Sequence, residues 1–88
     1  MSKFVESRPY ADPEAAARKI MEIAHGLGDV WDGRLFVEKL NWPMLTDIGA
    51  LPAEWRAGIE RAVENGWLWK HESGSYYRFT EAGKSLFA

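Results

Sequence analysis

Two aromatic-rich segments, residues 67–71 and 76–80, are separated by only the four residues Glu72-Ser-Gly-Ser75. A short polar link that contains glycine, between two strand-prone segments, predicts a β-hairpin. A tight turn at Ser73 and Gly74 fixes its register, and with it the face on which each side chain lies. The predicted cross-strand pairs are Trp67 with Thr80, Leu68 with Phe79, Trp69 with Arg78, and Lys70 with Tyr77. The fold must therefore offer a core to one face of this hairpin, the face of Leu68 and Phe79.

The first helix is predicted from Pro13 to His25. Asp12 is a suitable N-cap, proline suits the first helical position, and Glu14 places an acid in the first turn. Apolar residues then recur at helical spacing and predict one buried stripe, and the glycines that follow end the helix. The residues of this stripe are Ala16, Ile20, Ile23, Ala24 and Leu27.

A second long helix is predicted from Ala53 to Asn65, closed by Gly66. The residues of its apolar stripe are Trp55, Ile59, Ala62 and Val63. At about 100° per residue, the opposite face is polar. Its residues are Ala57, Arg61 and Glu64, flanked by Glu54 and Glu60. The sequence therefore predicts that this helix turns mostly carboxylates toward the solvent.

Residues 32–41 satisfy neither the helical nor the strand period cleanly, so a short helix and a strand both remain open. A strand is preferred, because a turn at Asp32-Gly33 precedes it and Phe36-Val37 is strand-prone. A short helix is then expected over residues 43–47, since it begins with a proline after a suitable cap. After the hairpin, Thr80 is expected to cap a short terminal helix that carries the last apolar residues.

Composition limits what these elements can form. The chain has 88 residues, of which 47% are hydrophobic and 27% charged, which indicates one compact domain. We assign this domain to residues 12–88 and an N-terminal arm to residues 1–11, whose Phe4, Val5 and Tyr10 are available to dock. The absence of cysteine excludes disulfides and thiol catalysis and fits a cytoplasmic protein. No stretch has the pattern of a membrane span or a signal peptide, so the sequence predicts no membrane association.

The order of the predicted elements is helix, strand, short helix, turn, helix and two-stranded wing, and it resembles that of the winged helix-turn-helix family. The resemblance covers residues 13–88. It is carried by Glu64-Asn-Gly-Trp-Leu68, by the hairpin link at residues 72–75, and by Tyr77-Arg-Phe-Thr-Glu-Ala-Gly83. The chain is also similar to small bacterial proteins of this general pattern. The resemblance implies an α+β fold with three helices, a small antiparallel sheet and a short C-terminal helix.

For function, the resemblance implies a transcription-related protein that binds double-stranded DNA. The helix of residues 53–65 would enter the major groove, and the hairpin tip would lie near the adjacent backbone. The contacts implied in this way are Arg56, Arg61, Lys70, His71 and Arg78. The net charge of −2 and the carboxylates of the helix depart from the basic surface that DNA binding usually needs.

A second interpretation starts from the outer face of the hairpin. Strand alternation places the following residues there: Trp67, Trp69, His71, Tyr76, Arg78 and Thr80. Trp, Tyr and Arg dominate binding hot spots, so this face predicts a protein interface, of a homodimer or with another protein, that uses Trp67, Trp69 and Tyr76. Two simpler arrangements remain open: the N-terminal arm covers the face, or Arg78 stacks on Trp69 as a cation–π pair. Stacking of single-stranded bases is a third alternative, which the low basic charge disfavours.

No pattern in the sequence points to catalysis. His25 and His71 lie in separate elements, with no carboxylate beside either at a metal-ligand spacing, so no metal site is predicted. Gly26-Leu-Gly28 lacks the context of a dinucleotide-binding loop, and Ser73 and Ser75 lie near His71 but in an exposed turn. We therefore expect no cofactor and a non-enzymatic binding domain.

Overall fold

The chain folds into helices and one three-stranded antiparallel sheet. The structure is a computed structural model, and it describes residues 8–28 and 31–87. The regular elements are α1 (Pro13–Gly26), β1 (Leu35–Phe36), α2 (Val37–Trp42), α3 (Pro52–Glu64), β2 (Leu68–Lys70), β3 (Tyr76–Phe79) and α4 (Glu81–Lys84). Two 3-10 turns, Pro9–Ala11 and Trp31–Gly33, and a π-helical turn, Pro43–Asp47, lie between them. The fold is α+β, and β3 is the central strand in the order β1-β3-β2.

The hairpin has the predicted register. The cross-strand pairs of β2 and β3 are Leu68 with Phe79, Trp69 with Arg78, and Lys70 with Tyr77. The turn differs from the prediction, because the Gly74 N–H donates to the carbonyl of His71, which places Glu72 and Ser73 at its centre. Gly74 then adopts a φ of +76°, a conformation that glycine accepts without strain. The register survives this shift because His71 still pairs with Tyr76, its N–H donating to the Tyr76 carbonyl at 3.1 Å.

Helix α1 begins where the sequence predicts and extends one residue further. The Asp12 side chain accepts a hydrogen bond from the Glu14 N–H at 3.1 Å and so satisfies a donor of the first turn. The face of α1 that packs on α3 is fully buried, whereas Ile23 and Leu27 are only partly buried. The buried residues of α1 are Ala16, Ala17, Ile20, Met21 and Ala24.

Helix α3 is rotated relative to the predicted stripe. Ile59 and Ala62 are buried as predicted, but Val63 is 36% exposed and Trp55 is only partly buried. In their place Gly58 lies against α1, where its missing side chain leaves room for Ala16 and Ile20. The positions of apolar residues could not predict that α3 packs on α1 through Gly58, because this contact depends on the absence of a side chain.

The preference for a strand over residues 32–41 is wrong for most of the segment. β1 contains only Leu35 and Phe36, and α2 starts at Val37 and continues directly into the π-helical turn. Leu40 and Met44, four residues apart, are both fully buried, as one face of a helical segment requires. The burial of this pair outweighs the strand preference of the preceding residues. The predicted short helix at residues 43–47 exists, as the π-helical end of this continuous segment.

Thr80 caps the N-terminus of the last helix, α4, as predicted. The Thr80 hydroxyl accepts a hydrogen bond from the Gly83 N–H at 3.0 Å and starts α4. The helix ends at Lys84, so Leu86 and Phe87 lie beyond it in a turn. Leu86 nevertheless packs against the core.

The segment before α1 is attached to α3 by Arg8. Its Nε donates to Glu54 Oε2 at 2.7 Å and its Nη2 donates to Glu54 Oε1 at 3.0 Å. The prediction that Glu54 flanks the exposed face of α3 is therefore wrong: this residue is only 9% exposed. Tyr10 packs against the core, whereas Phe4 and Val5 of the predicted arm lie outside the described residues.

This ion pair predicts a loss of stability in acid. The hydrogen bonds from Arg8 and from the Leu51 N–H lower the pKa of Glu54 from 4.5 to about 2. Because the folded-state pKa lies below the unfolded one, the carboxylate stabilises the fold above about pH 4.5, and this stabilisation is lost as the pH falls toward 2. We expect Glu54→Gln to flatten the dependence of the unfolding free energy on pH across this window, measured by urea titration. Glu72→Gln, at the exposed hairpin tip, should leave the dependence as it is, and an equal slope for both variants would contradict the assignment.

Candidate functional site

The two faces of the sheet differ in character. Leu35, Leu68 and Tyr77 point inward and are buried against the helices. Neighbouring residues point to the opposite side, as strand alternation requires. Six residues on or beside this opposite side contact one another and form what we call the outer-face cluster: Arg34, Phe36, Trp69, His71, Tyr76 and Arg78.

Tyr76 lies at the centre of the outer-face cluster. The His71 ring stacks on it with a centroid separation of 4.5 Å and an interplanar angle of 19°. The guanidinium carbons of Arg34 and Arg78 lie 5.0 and 5.6 Å from its ring centroid, within cation–π range. Tyr76 is consequently only 9% exposed, so its ring is the internal support of the cluster.

Asp32 orients the two arginines. It lies in the turn Trp31–Gly33 with a φ of +55°, a conformation in which Asp is enriched among non-glycine residues. Its carbonyl accepts a hydrogen bond from Arg78 Nη1 at 2.8 Å. Its carboxylate lies 3.4 Å from Arg34 Nε and 3.8 Å from Arg78 Nη2. The Asp32 carboxylate therefore lies beside both guanidiniums.

Trp69 is the most exposed aromatic side chain of the outer-face cluster. Its indole meets the His71 ring edge-on, with centroids 5.7 Å apart, and 48% of the residue remains exposed. The sequence left open a cation–π pair of Arg78 with Trp69, and in the structure the Arg78 guanidinium lies over the Tyr76 ring instead. The indole is therefore held by contacts with His71 and Tyr76, and about half of the residue's surface remains available for contact with a partner.

Trp67 lies away from this face. It precedes β2, directly after Gly66, whose φ of +78° redirects the chain, so the alternation used for the prediction does not extend to it. The Trp67 ring packs against the core, and the guanidinium carbon of Arg18 in α1 lies 6.0 Å from its centroid. Of the three residues predicted for a protein interface, the structure brings Trp69 and Tyr76 together and places Trp67 elsewhere.

The five residues implied as DNA contacts do not share one surface. His71 and Arg78 belong to the outer-face cluster, while Lys70 lies on the other side of β2, next to α3. Arg56 is exposed on α3 and forms no ion pair with another described residue.

Arg61 forms ion pairs with two carboxylates. Its Nε donates to Glu14 Oε1 in α1 at 2.9 Å, and its Nη1 lies 3.7 Å from Glu64 Oε1. The hydrogen bond to Glu14 raises the pKa of Arg61, and the hydrogen bonds from Arg61 and Asn65 lower the pKa of Glu14. Arg61, one of the five residues implied as DNA contacts, is thus part of the contact between α1 and α3.

A groove of about 270 Å³ separates α3 from β2. We call it the α3–β2 groove, and its lining residues are Ile59, Glu60, Val63, Glu64, Lys70 and Tyr77. Ile59 and Tyr77 form a buried floor, while the charged residues are exposed at the rim. Burial, together with the nearby Glu60 carboxylate, raises the pKa of Tyr77. The groove therefore combines an apolar floor with a rim of two carboxylates and one ammonium group.

The histidines have structural partners. His71 Nδ1 accepts a hydrogen bond from the Ser73 N–H at 3.1 Å and lies 2.8 Å from the Ser73 hydroxyl. The same hydroxyl accepts a hydrogen bond from the Ser75 N–H at 3.2 Å. These contacts shape an exposed turn. His25 Nε2 lies 2.9 Å from the Gly83 carbonyl and joins α1 to α4.

Sequence reasoning missed Asp32, Arg34 and Phe36 as members of this surface. The available signal was the short apolar pair at residues 35–36, which becomes informative only once β1 is placed beside β3. Because Phe36 pairs with Tyr76, that placement brings the adjacent Arg34 and Asp32 to the outer face. A one-dimensional pattern does not contain this pairing.

Within residues 8–28 and 31–87, no three His, Cys, Asp or Glu side chains are grouped so that they could hold a metal ion. None of the helices described there has the length and apolar character needed to cross a membrane. Comparisons with family models, curated proteins and solved structures found no match to this chain.

Proposed function

We propose that this chain is a non-enzymatic winged-helix domain that binds another protein chain through its outer-face cluster, with Trp69 as the anchor. The winged-helix assignment is supported by the order of elements, in which a helix, a strand and two helical segments precede a hairpin. It is further supported by the sheet order, in which the hairpin strand β3 lies between β1 and β2.

The observation that supports the binding role most directly is the indole of Trp69, which is half-exposed and already held by His71 and Tyr76. Tryptophan, tyrosine and arginine are the residue types enriched in binding hot spots, and all three occur here in mutual contact. Asp32 and Tyr76 already hold the arginine side chains, so little side-chain freedom is lost when a partner binds. The surface is therefore prepared for binding without rearrangement.

The charge distribution supports a protein over DNA as the partner. A DNA-binding helix gains much of its affinity from contacts of Lys and Arg with phosphates. On α3, Arg61 is paired with Glu14, and Glu60 and Glu64 border the groove beside Lys70. A duplex that lay along this helix would meet carboxylates at its centre.

A photo-crosslinking amino acid tests the proposal directly. With benzoylphenylalanine at position 69, we expect irradiation in the native cells to give a discrete adduct in which mass spectrometry finds a protein. The same group at position 42 is the matched control, because Trp42 is 67% exposed but lines a separate groove with Leu27 and Pro43. Arg78→Glu in the position-69 chain should remove the adduct. Absence of an adduct at 69, or equal yields at 69 and 42, overturns the proposal.

DNA binding remains the second candidate, since Arg56 and Lys70 are exposed and neither forms an ion pair with a described residue. If the chain binds duplex DNA, a mixed-sequence duplex at low salt should shift the amide signals of residues 53–65 and 70–78. The shifts should fade as salt is added, because the affinity then depends on released counterions. Arg56→Glu should abolish them, with Arg18→Glu on α1 as the control. An unchanged spectrum at low salt excludes this candidate.

A further inference from the structure

We infer that His71 selects the partner at the outer-face cluster: its Nε2–H group donates a hydrogen bond to a main-chain carbonyl of an extended segment that packs on Trp69. The inference rests on the proposed function and adds the kind of segment that the partner presents. Its basis is the geometry of the His71 ring, which the hairpin turn holds at one nitrogen and presents with the other.

The hairpin turn fixes which nitrogen of His71 carries the proton. The Ser73 N–H donates to Nδ1 at 3.1 Å, and a main-chain N–H can only donate, so Nδ1 is the acceptor and holds no proton. The neutral ring therefore carries its proton on Nε2. The turn thus makes His71 a neutral donor whose N–H lies at the end of the ring remote from the backbone.

This donor belongs to the same supported unit as the Trp69 indole. The His71 ring stacks on Tyr76 and meets the indole edge-on, with centroid separations of 4.5 and 5.7 Å. Within the described residues, Nε2 of His71 has no hydrogen-bond partner, and the residue is partly exposed. A segment that packs on the indole comes to lie against the Nε2–H group as well. Covering a donor without supplying an acceptor costs binding free energy, so the partner must supply one.

The neutral state of the ring favours an uncharged acceptor. A carboxylate beside Nε2 would favour the charged imidazolium, in which both nitrogens carry a proton. The proton on Nδ1 would then face the Ser73 N–H, donor against donor, and the contact that holds the ring would be lost. A carbonyl oxygen accepts from Nε2–H without this change, so it is the acceptor that the turn permits.

The need for a carbonyl also restricts the form of the partner. Inside an α-helix each carbonyl already accepts from the N–H four residues further on, so a helix face offers side chains and no main-chain acceptor. An extended segment alternates side chains with carbonyls that still require a partner. Such a segment lays one apolar side chain on the half-exposed Trp69 and places a neighbouring carbonyl at His71. The element that is recognised is therefore linear.

A displayed library of linear peptides tests the inference on the full chain. We expect the wild-type protein to select peptides whose binding is lost in Trp69→Ala. The affinity of these peptides, measured by fluorescence anisotropy, should fall about tenfold in His71→Phe, which keeps a ring for stacking but has no N–H to donate. Lys70→Gln is the control, because Lys70 lies on the other side of β2, and it should bind as the wild type does.

The acceptor is tested by replacing one amide of a selected peptide at a time by an ester, whose carbonyl is a weaker acceptor. At one position the ester should weaken binding to the wild type by about threefold or more. The same ester should leave binding to His71→Phe unchanged, since the hydrogen bond is already absent there.

Three results overturn the inference. In the first, His71→Phe binds the peptides as tightly as the wild type; in the second, no ester position depends on His71; in the third, the library yields no peptide that needs Trp69. The crosslink at position 69 decides the proposed function separately in each case. If the amide spectrum shows that His71→Phe does not fold, His71→Leu, which also lacks the donor, takes its place with the same expected loss.

Discussion

Gly83→Ala is expected to lower the free energy of unfolding by about 3 kcal/mol or more, because the added methyl group has nowhere to go. A Cβ atom at this position would overlap the carbonyl oxygen of Trp67 and would lie 2.9 Å from its carbonyl carbon. These are backbone atoms of the segment that leads from α3 into β2, so they cannot move aside without displacing the hairpin. The Met21 side chain, 3.3 Å from the same point, closes the remaining space.

Gly26→Ala is the matched control for this substitution. Gly26 ends α1, and a Cβ atom there would have no neighbour within 4 Å. Since alanine is favoured over glycine in a helix, we expect no loss and a gain of up to about 1 kcal/mol. Urea unfolding followed by circular dichroism measures both variants. Equal stabilities of the two variants would contradict the close packing of α4 on Trp67.

Gly58→Leu is expected to have an effect of similar size, about 3 kcal/mol or more, at the contact between α1 and α3. Even a methyl group at this position would lie 2.7 Å from Ala16 Cβ and 3.1 Å from Ile20 Cδ1. A leucine side chain would therefore force the two helices apart and expose the core between them. Loss of the cooperative thermal transition, or a much lower midpoint, is the expected observation.

Two further variants separate this contact from general effects on α3. Ala57→Leu places a leucine one residue earlier, at a partly exposed position of the helix. It should change the free energy of unfolding by no more than about 0.5 kcal/mol. Gly58→Ala should be destabilising on its own, and Ala16→Gly, which removes the opposing methyl group, should make the loss in the double variant smaller than the sum of the two single losses. Additive effects of these last two substitutions would show that the helices do not meet at this point.

The features that sequence predicted well are local ones. The hairpin register followed from the position of a glycine-containing link between two strand-prone segments, and it is confirmed although the turn itself is displaced by one residue. The start of α1 followed from Asp12 and Pro13, whose effects act within one turn of the helix. In each case the residues that determine the structure are neighbours in the chain.

The features that sequence did not predict depend on distant partners. Glu54 is buried because Arg8, far away in the chain, supplies two hydrogen bonds to it. The face of α3 that packs on α1 is set by Gly58, whose contribution is the space it leaves. The outer-face cluster needs β1 beside β3, which brings Arg34 to Tyr76. Residue type and spacing identify candidates for such contacts without pairing them.

The sheet order also has a consequence for the time course of folding. The hairpin joins strands that are adjacent in the chain, whereas β1 pairs with β3 only after the chain has returned through α2, α3 and β2. Closing a long segment costs more entropy than closing a short one, so we expect the β1 pairing to form late. Phe36 in β1, and Arg34 directly before this strand, join the outer-face cluster only at that stage. A partner that requires the whole cluster would therefore engage finished chains and pass over those that are still folding.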